Sequence, residues 1–141
     1  MHLVHWHSST TEEGVKELSR RHQELWKKLK APIAVIHVIG AKSAPPSTAT
    51  RKLLADFLRT ESESIAINAA VIEGQGFHSA AVRAVTSGIA LLSRMSFPHE
   101  VHSNFDTCLT SVARCLKLND GSKKILTDFV NNSFHTPRVV R

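Results

Sequence analysis

The residues whose types and spacing could do chemistry gather in two loops. In "VIGAKSAPPSTATRK" (38–52) an apolar run stops at Gly40, and Lys42, Ser43, two prolines, Ser47, Thr48 and Thr50 follow, ahead of Arg51 and Lys52. Ser47 opens a new helical pattern, where its hydroxyl can accept a hydrogen bond from a free first-turn N–H. A helix N-terminus also favours negative charge, so the functional reading is phosphorylation or anion binding there. Ser47 is the first candidate and Ser43 and Thr48 the next, with Arg51 one turn in. In "EGQGFHSAAVR" (73–83), Gly74 and Gly76 separate a strand pattern from a helix with His78 and Ser79 at its expected N-cap and Arg83 just inside. The G-x-G resembles a phosphate cradle but lacks the third glycine of a dinucleotide site and the lysine of a P-loop. A tight turn is its simpler role, and Glu73 opposes an anion there.

Other reactive side chains form no recognisable constellation. Ser79 cannot face its neighbour His78 on a helix, no G-x-S-x-G elbow exists, and no carboxylate pair is placed for acid–base work. No catalytic residue is therefore assigned. Cys108 and Cys115 fall on one helix face about 10 Å apart along the axis, which suits free core thiols. His5 and His7 share a strand face and could hold a metal with His2 as a third ligand, but a solvent-facing edge strand explains the same alternation. Neither a metal nor a cofactor is assigned. His37, inside an apolar run, reads as a satisfied core histidine. His99, His102 and His135 make no recognisable spacing.

These loops must be positioned by alternating strands and helices. "HLVHWH" (2–7) reads as a strand. A helix capped by Thr10 or Thr11, with Glu13 completing a capping box from Thr10, carries Val15, Leu18, His22, Leu25, Trp26 and Leu29 at helical spacing. "IAVIHVIG" (33–40) and "SIAINAAVIEG" (64–74) have the apolar continuity of strands buried in a parallel sheet. Between them a helix over 47–60 carries Leu53, Leu54, Phe57 and Leu58. A helix over 78–95 offers Ala81, Val85, Ile89, Leu92 and Met95, and "EVHSN" is a short last strand. Ser103 and Asp106 form a capping box before a helix bearing Phe105, Cys108, Leu109, Val112, Cys115 and Leu116. "NDGS" (119–122) reads as a turn, and 123–134 as a fifth helical segment with Ile125, Leu126, Phe129 and Val130 on one side; "HTPRVVR" reads as a loose tail.

This order implies a single α/β domain with a mainly parallel sheet of four to five strands, alternating helices and an extra C-terminal helix. Ligands of such sheets bind outside the carboxyl ends of the strands, where the two loops and "HSNFD" would share one rim.

The chain has 141 residues and a net charge of +6. The excess sits partly in "KELSRRHQELWKKLK", interleaved with glutamates, as on a solvated helix face. Nucleic acid is not expected as a partner. No apolar run approaches the roughly 18 residues of a membrane span, and the N-terminus lacks a secretory pattern; a cytoplasmic location is expected.

The leading strand, "TTEEGVKEL", "IAVIHVIGAKSAPPSTATRKLLADFL", "AAVIEGQGFHSAAVRAV" and "PHEVHSNFDTCLTSVARCL" together resemble a STAS-like domain, the fold of anti-sigma-factor antagonists and sulphate-transporter tails. The likeness covers about residues 1–117, leaving 119–141 as a C-terminal helix and basic tail that could cover a sheet edge or a partner surface. It implies a non-enzymatic regulatory or scaffold module that binds a protein partner through the rim and the second helix. In that family a serine or threonine of the second βα loop is phosphorylated, and Ser47 matches that position. The family's site is usually preceded by aspartate and followed by a second serine and glycine, whereas this loop reads "SAPPST". The alternative is a small anionic or lipid-like ligand, or an enzyme's substrate, held by the same rim through Lys42, Arg51, Lys52, Gly74, Gly76, His78, Ser79 and Arg83. A homo-oligomer is compatible with either.

Overall fold

A computed structural model describes residues 1–135. Strand β1 (His2–Trp6) leads through helix α1 (Glu12–Leu29) to β2 (Ile33–Ile39), and α2 (Thr48–Thr60) leads to β3 (Ile65–Ile72). Helix α3 (Phe77–Ser93) connects to β4 (His99–His102), and α4 (Phe105–Cys115) and α5 (Asp120–His135) complete the order. The four strands lie in sequence order, β1-β2-β3-β4, every neighbouring pair parallel. The architecture is α/β, as the alternation implies.

Strand order explains the layering. When a sheet grows one neighbour at a time through right-handed crossovers, every connecting helix falls on the same face. Accordingly Val15 and Leu18 of α1, Leu54, Phe57 and Leu58 of α2 and Ile89 of α3 pack with Trp6, Val35 and Ile65. The opposite face, carrying Ala34, Ile36, Val38, Ile67, Ala69 and Val71, is equally apolar and has no crossover to cover it. Helices α4 and α5 cover it, through Cys108, Leu109, Val112 and Val130. The C-terminal helix thus belongs to the second layer rather than to a sheet edge. The end of the basic tail, 136–141, lies outside the described residues.

Several local expectations are corrected. Thr11, not the Thr10–Glu13 box, caps α1 by accepting from Gly14 N. Asn104 rather than Ser103 caps α4, accepting from Thr107 N at 3.0 Å. "NDGS" is no turn: Asn119 Oδ1 accepts from Ser122 N at 2.8 Å and α5 starts at Asp120. Helix α3 begins after Gly76, so neither His78 nor Ser79 is its cap. Its buried stripe includes Val82 and Ile89, while Leu92 is 73% exposed. Among the residues of α5 whose side chains are described, Val130 is the fully buried one; Ile125 and Phe129 face outward.

Truncation of Ile36, which is wholly buried, should destabilise by about 2–5 kcal/mol through lost transfer energy and a residual cavity. Leu92→Ala should change stability by less than about 0.5 kcal/mol. Urea unfolding of the two variants checks both the layering and the rotation of α3.

Candidate functional site

One residue from each strand enters a single line of buried hydrogen bonds on the face covered by α1–α3. Trp6 Nε1 donates to His37 Nδ1 at 3.1 Å. His37 Nε2 and Asn68 Oδ1 lie 3.0 Å apart, and Asn68 Nδ2 and His99 Nδ1 2.9 Å apart. Parallel register sets this up, with Asn68 directly beside His99 and His37 paired with Val4 and Ala70 of its neighbours. His37 and Asn68 each interrupt an otherwise apolar strand face of β2 and β3.

The indole fixes the direction of every link. An indole N–H can only donate, so His37 Nδ1 accepts and its proton sits on Nε2. That proton goes to Asn68 Oδ1, which leaves Asn68 Nδ2 to donate to His99 Nδ1. His99 then carries its own proton on Nε2, which is buried and has no partner among the described residues. Burial holds His37 down to about 4, only partly opposed by its hydrogen bond to Asn68. His99 is lowered too, by burial against the opposing pull of Glu100. The line is uncharged at neutral pH.

A cavity of about 50 Å³ lies over this line, between the sheet and helices α2 and α3. Ile39, Leu54, Leu58, Ala70, Val82 and Ile89 supply its apolar wall. Thr10, Ala44 and Pro46, from the loops after β1 and β2, line it at the rim. Gly14 matters to the same region: a Cβ there would stand 2.7 Å from Trp6 Cζ3, so only glycine lets α1 rest on the indole.

The residues singled out in the loops do meet at the rim, largely through internal bonds. Ser47 is the cap of α2, accepting from Thr50 N at 3.1 Å and lying 2.9 Å from Thr50 Oγ1. It is exposed, as are Thr48, Lys42 and Lys52. Arg51 donates to Thr48 Oγ1 at 3.0 Å. Ser43 is buried and donates to the Trp6 carbonyl at 3.0 Å. His78 Nε2 bonds the Ser43 carbonyl at 2.8 Å, which ties the two loops together. Ser79 donates to the Glu73 carbonyl at 3.3 Å and Arg83 to the Ile72 carbonyl at 3.0 Å. Gly74, at φ +86°, sits where a Cβ would come within 2.9 Å of Ala41 Cβ, whereas Gly76, at φ +92°, faces open space.

The remaining polar clusters hold structure. His22 Nε2 bonds Ser64 Oγ at 2.8 Å, and Ser64 donates to the Glu61 carbonyl, clamping α1 to the turn before β3. His2 is buried against His22, on the opposite strand face from His5 and His7, and so does not complete a ligand trio with them. Among the described residues no group of three His, Cys, Asp or Glu could hold a metal ion. Burial pushes the Cys108 thiol up to about 12, with Glu100 adding to it, which keeps it a thiol rather than a nucleophilic thiolate.

Sequence reasoning found the satisfied state of His37 but missed the line. The signal was present in the two middle strands, where His37 and Asn68 are the one polar residue of β2 and of β3; β1 and β4 carry several polar residues, so Trp6 and His99 did not stand out.

Gly14→Ala should lower stability rather than give the gain of up to about 1 kcal/mol expected of an unhindered helical site, because the new methyl displaces the indole. Trp6→Phe should cost about 1–3 kcal/mol by leaving His37 Nδ1 buried without a donor. Lowered histidines also set a pH dependence. His37 and His2 titrate near 4 when folded and at 6.5 in the unfolded chain. Their stability contribution is complete above about pH 6.5 and lost as the pH falls towards 4, because the unfolded chain binds the protons first. Urea midpoints should decline over that window, and a flat profile would contradict the neutral line. Comparison of the chain with protein-family models, curated proteins and solved structures found no match.

Proposed function

We propose that the chain is a non-enzymatic, cytoplasmic regulatory or scaffold module of STAS-like type that docks a protein partner through the rim at the carboxyl ends of β2 and β3. The observation that carries this reading is the setting of Ser47. It is an exposed hydroxyl at the N-cap of α2, on a rim whose neighbouring polar groups Ser43, His78, Ser79 and Arg83 are already bound internally. Lys42, Arg51 and Lys52 make this part of the surface cationic, which suits an acidic partner face. Phosphorylation of Ser47 would place about two negative charges at a helix N-terminus. The helix tolerates that charge, so the change would alter docking rather than unfold the rim. Ser43 is the weaker candidate, since its hydroxyl is buried and committed to Trp6.

The competing reading, an anionic ligand or substrate on the rim itself, draws on Arg83 and His78. Both point their nitrogens at backbone carbonyls, which argues for a stitched surface over an open anion site. No helix among the described residues is long and apolar enough to cross a membrane.

Full-length chain, Ser47→Ala, Ser47→Asp and Lys42→Glu/Lys52→Glu would each be used to capture partners from the soluble fraction of the source cells. The Ala variant loses about 1 kcal/mol of cap stability, so all four are compared where they remain folded. The reading expects Ser47→Ala to retain the same partner as the parent chain, with the Asp and charge-reversed variants changing its retention at least fivefold. Equal retention by all four would show that neither Ser47 nor the cationic rim governs docking.

A further inference from the structure

We propose that His5 and His7 form a two-imidazole chelate at the carboxyl end of the outer strand β1, which binds a divalent late-transition-metal ion, copper(II) most tightly and zinc(II) less so. Geometry, access and donor chemistry each support the site.

Residues two apart on an extended chain point to the same face, and here the two rings meet. Their centroids lie 3.9 Å apart, with the ring planes tilted by 42°. Imidazole nitrogens ligate such ions at about 2.0–2.1 Å, so two of them on one ion stand about 3 Å from each other. A tilted pair at this separation reaches that spacing through side-chain rotation, which exposed residues make freely.

The backbone that carries the rings is anchored on both sides of His7. His5 and Trp6 are in the ladder with Val38 and Ile39, and the Trp6 carbonyl accepts from Ser43 Oγ at 3.0 Å. Beyond His7, the Ser8 carbonyl accepts from Ala44 N at 3.0 Å. The fold thus holds the two side chains together before an ion arrives, which lowers the ordering cost of binding.

Access separates this pair from the other close histidines. His2, His22 and His37 are buried, whereas both His5 and His7 are exposed. Strand β1 also lies at the outside of the sheet, so a hydrated ion can approach from solvent.

Each imidazole has two nitrogens, so a contact made by one leaves the other able to ligate. In metal sites that second nitrogen is commonly held by an acceptor. Neutral imidazole suits copper, zinc and nickel, and affinity for such donors peaks at copper(II). Magnesium and calcium require oxygen ligands. Among the described residues no group of three His, Cys, Asp or Glu could hold a metal ion, so water completes the coordination. Copper(II), with its tetragonal preference for nitrogen and oxygen donors, accommodates two imidazoles and two waters. A structural zinc site takes four protein ligands; with two, this is an exchangeable one.

Copper(II) chloride is titrated into the full chain at neutral pH, with the N-terminal amine acetylated so that it cannot compete. Electron paramagnetic resonance and NMR follow the titration. The first equivalent should show coupling to two imidazole nitrogens, with broadening centred on His5, His7 and the adjacent amides. Zinc(II) should shift the same two ring signals at higher concentration, and magnesium should not. His5→Gln and His7→Gln should each weaken copper binding at least tenfold. His7→Ser/Ser8→His keeps nine histidines but turns one ring to the other face, and should weaken binding as much as His7→Gln. His102→Gln, on the opposite edge of the sheet, should leave the affinity within twofold. His5, His7 and Ser8 are exposed, so these variants keep the fold, and unchanged amide signals of β2 and β3 check that. No binding of copper, broadening centred on other histidines, or affinity within threefold of the parent in any of the three β1 variants would overturn the proposal.

Discussion

A parallel sheet covered by helices on both faces leaves a polar side chain in its middle strands only other buried groups to bond with. His37 is in that position: an inner strand, apolar neighbours and a buried side chain. Both ring nitrogens must be met from adjacent strands, and they are, by an indole on β1 and an amide on β3. Once the indole donates, no later member can reverse its role. The line then runs to the far strand and ends on a donor. Much else in the structure serves that arrangement. Gly14 gives the indole room, Ser43 fixes the carbonyl of the same tryptophan, and the register of β3 on β4 sets Asn68 beside His99.

The same segment links this interior to the rim. Ala44 and Pro46 line the cavity, and the next residue, Ser47, is the exposed cap of α2. Ser43 lies one residue before them and is held by Trp6 on one side and His78 on the other. A partner or phosphate at the N-terminus of α2 would therefore act on the same short stretch of chain that walls the cavity. Few atoms separate the two surfaces, and those atoms are stiffened by two consecutive prolines.

The elements were legible in the sequence because alternation of apolar strand runs with helical stripes is a local signal. Strands β2 and β3 and helices α2 and α4 fall within a residue or two of where periodicity puts them. Ser47 was legible as a cap for the same reason. Errors came where a neighbour competed for a local role: Asn104 against Ser103, and Val82 against Leu92 for the buried side of α3; at α1 the sequence left Thr10 and Thr11 open, and Thr11 is the cap. The polar line was not legible, because its members lie about thirty residues apart from one strand to the next. Only strand order and register bring them into contact. Loop residues drew attention by being polar, yet several spend their polarity on holding the loops together.

The direction of the line is the claim on which the account stands, and histidine tautomers report it. Long-range proton–nitrogen correlation spectra of the full chain at neutral pH would assign the protonated nitrogen of His37 and His99. The account predicts neutral rings with the proton on Nε2 in both. A proton on Nδ1 of either ring, or a charged imidazolium at His37, would contradict the line and the unpaired donor at its end.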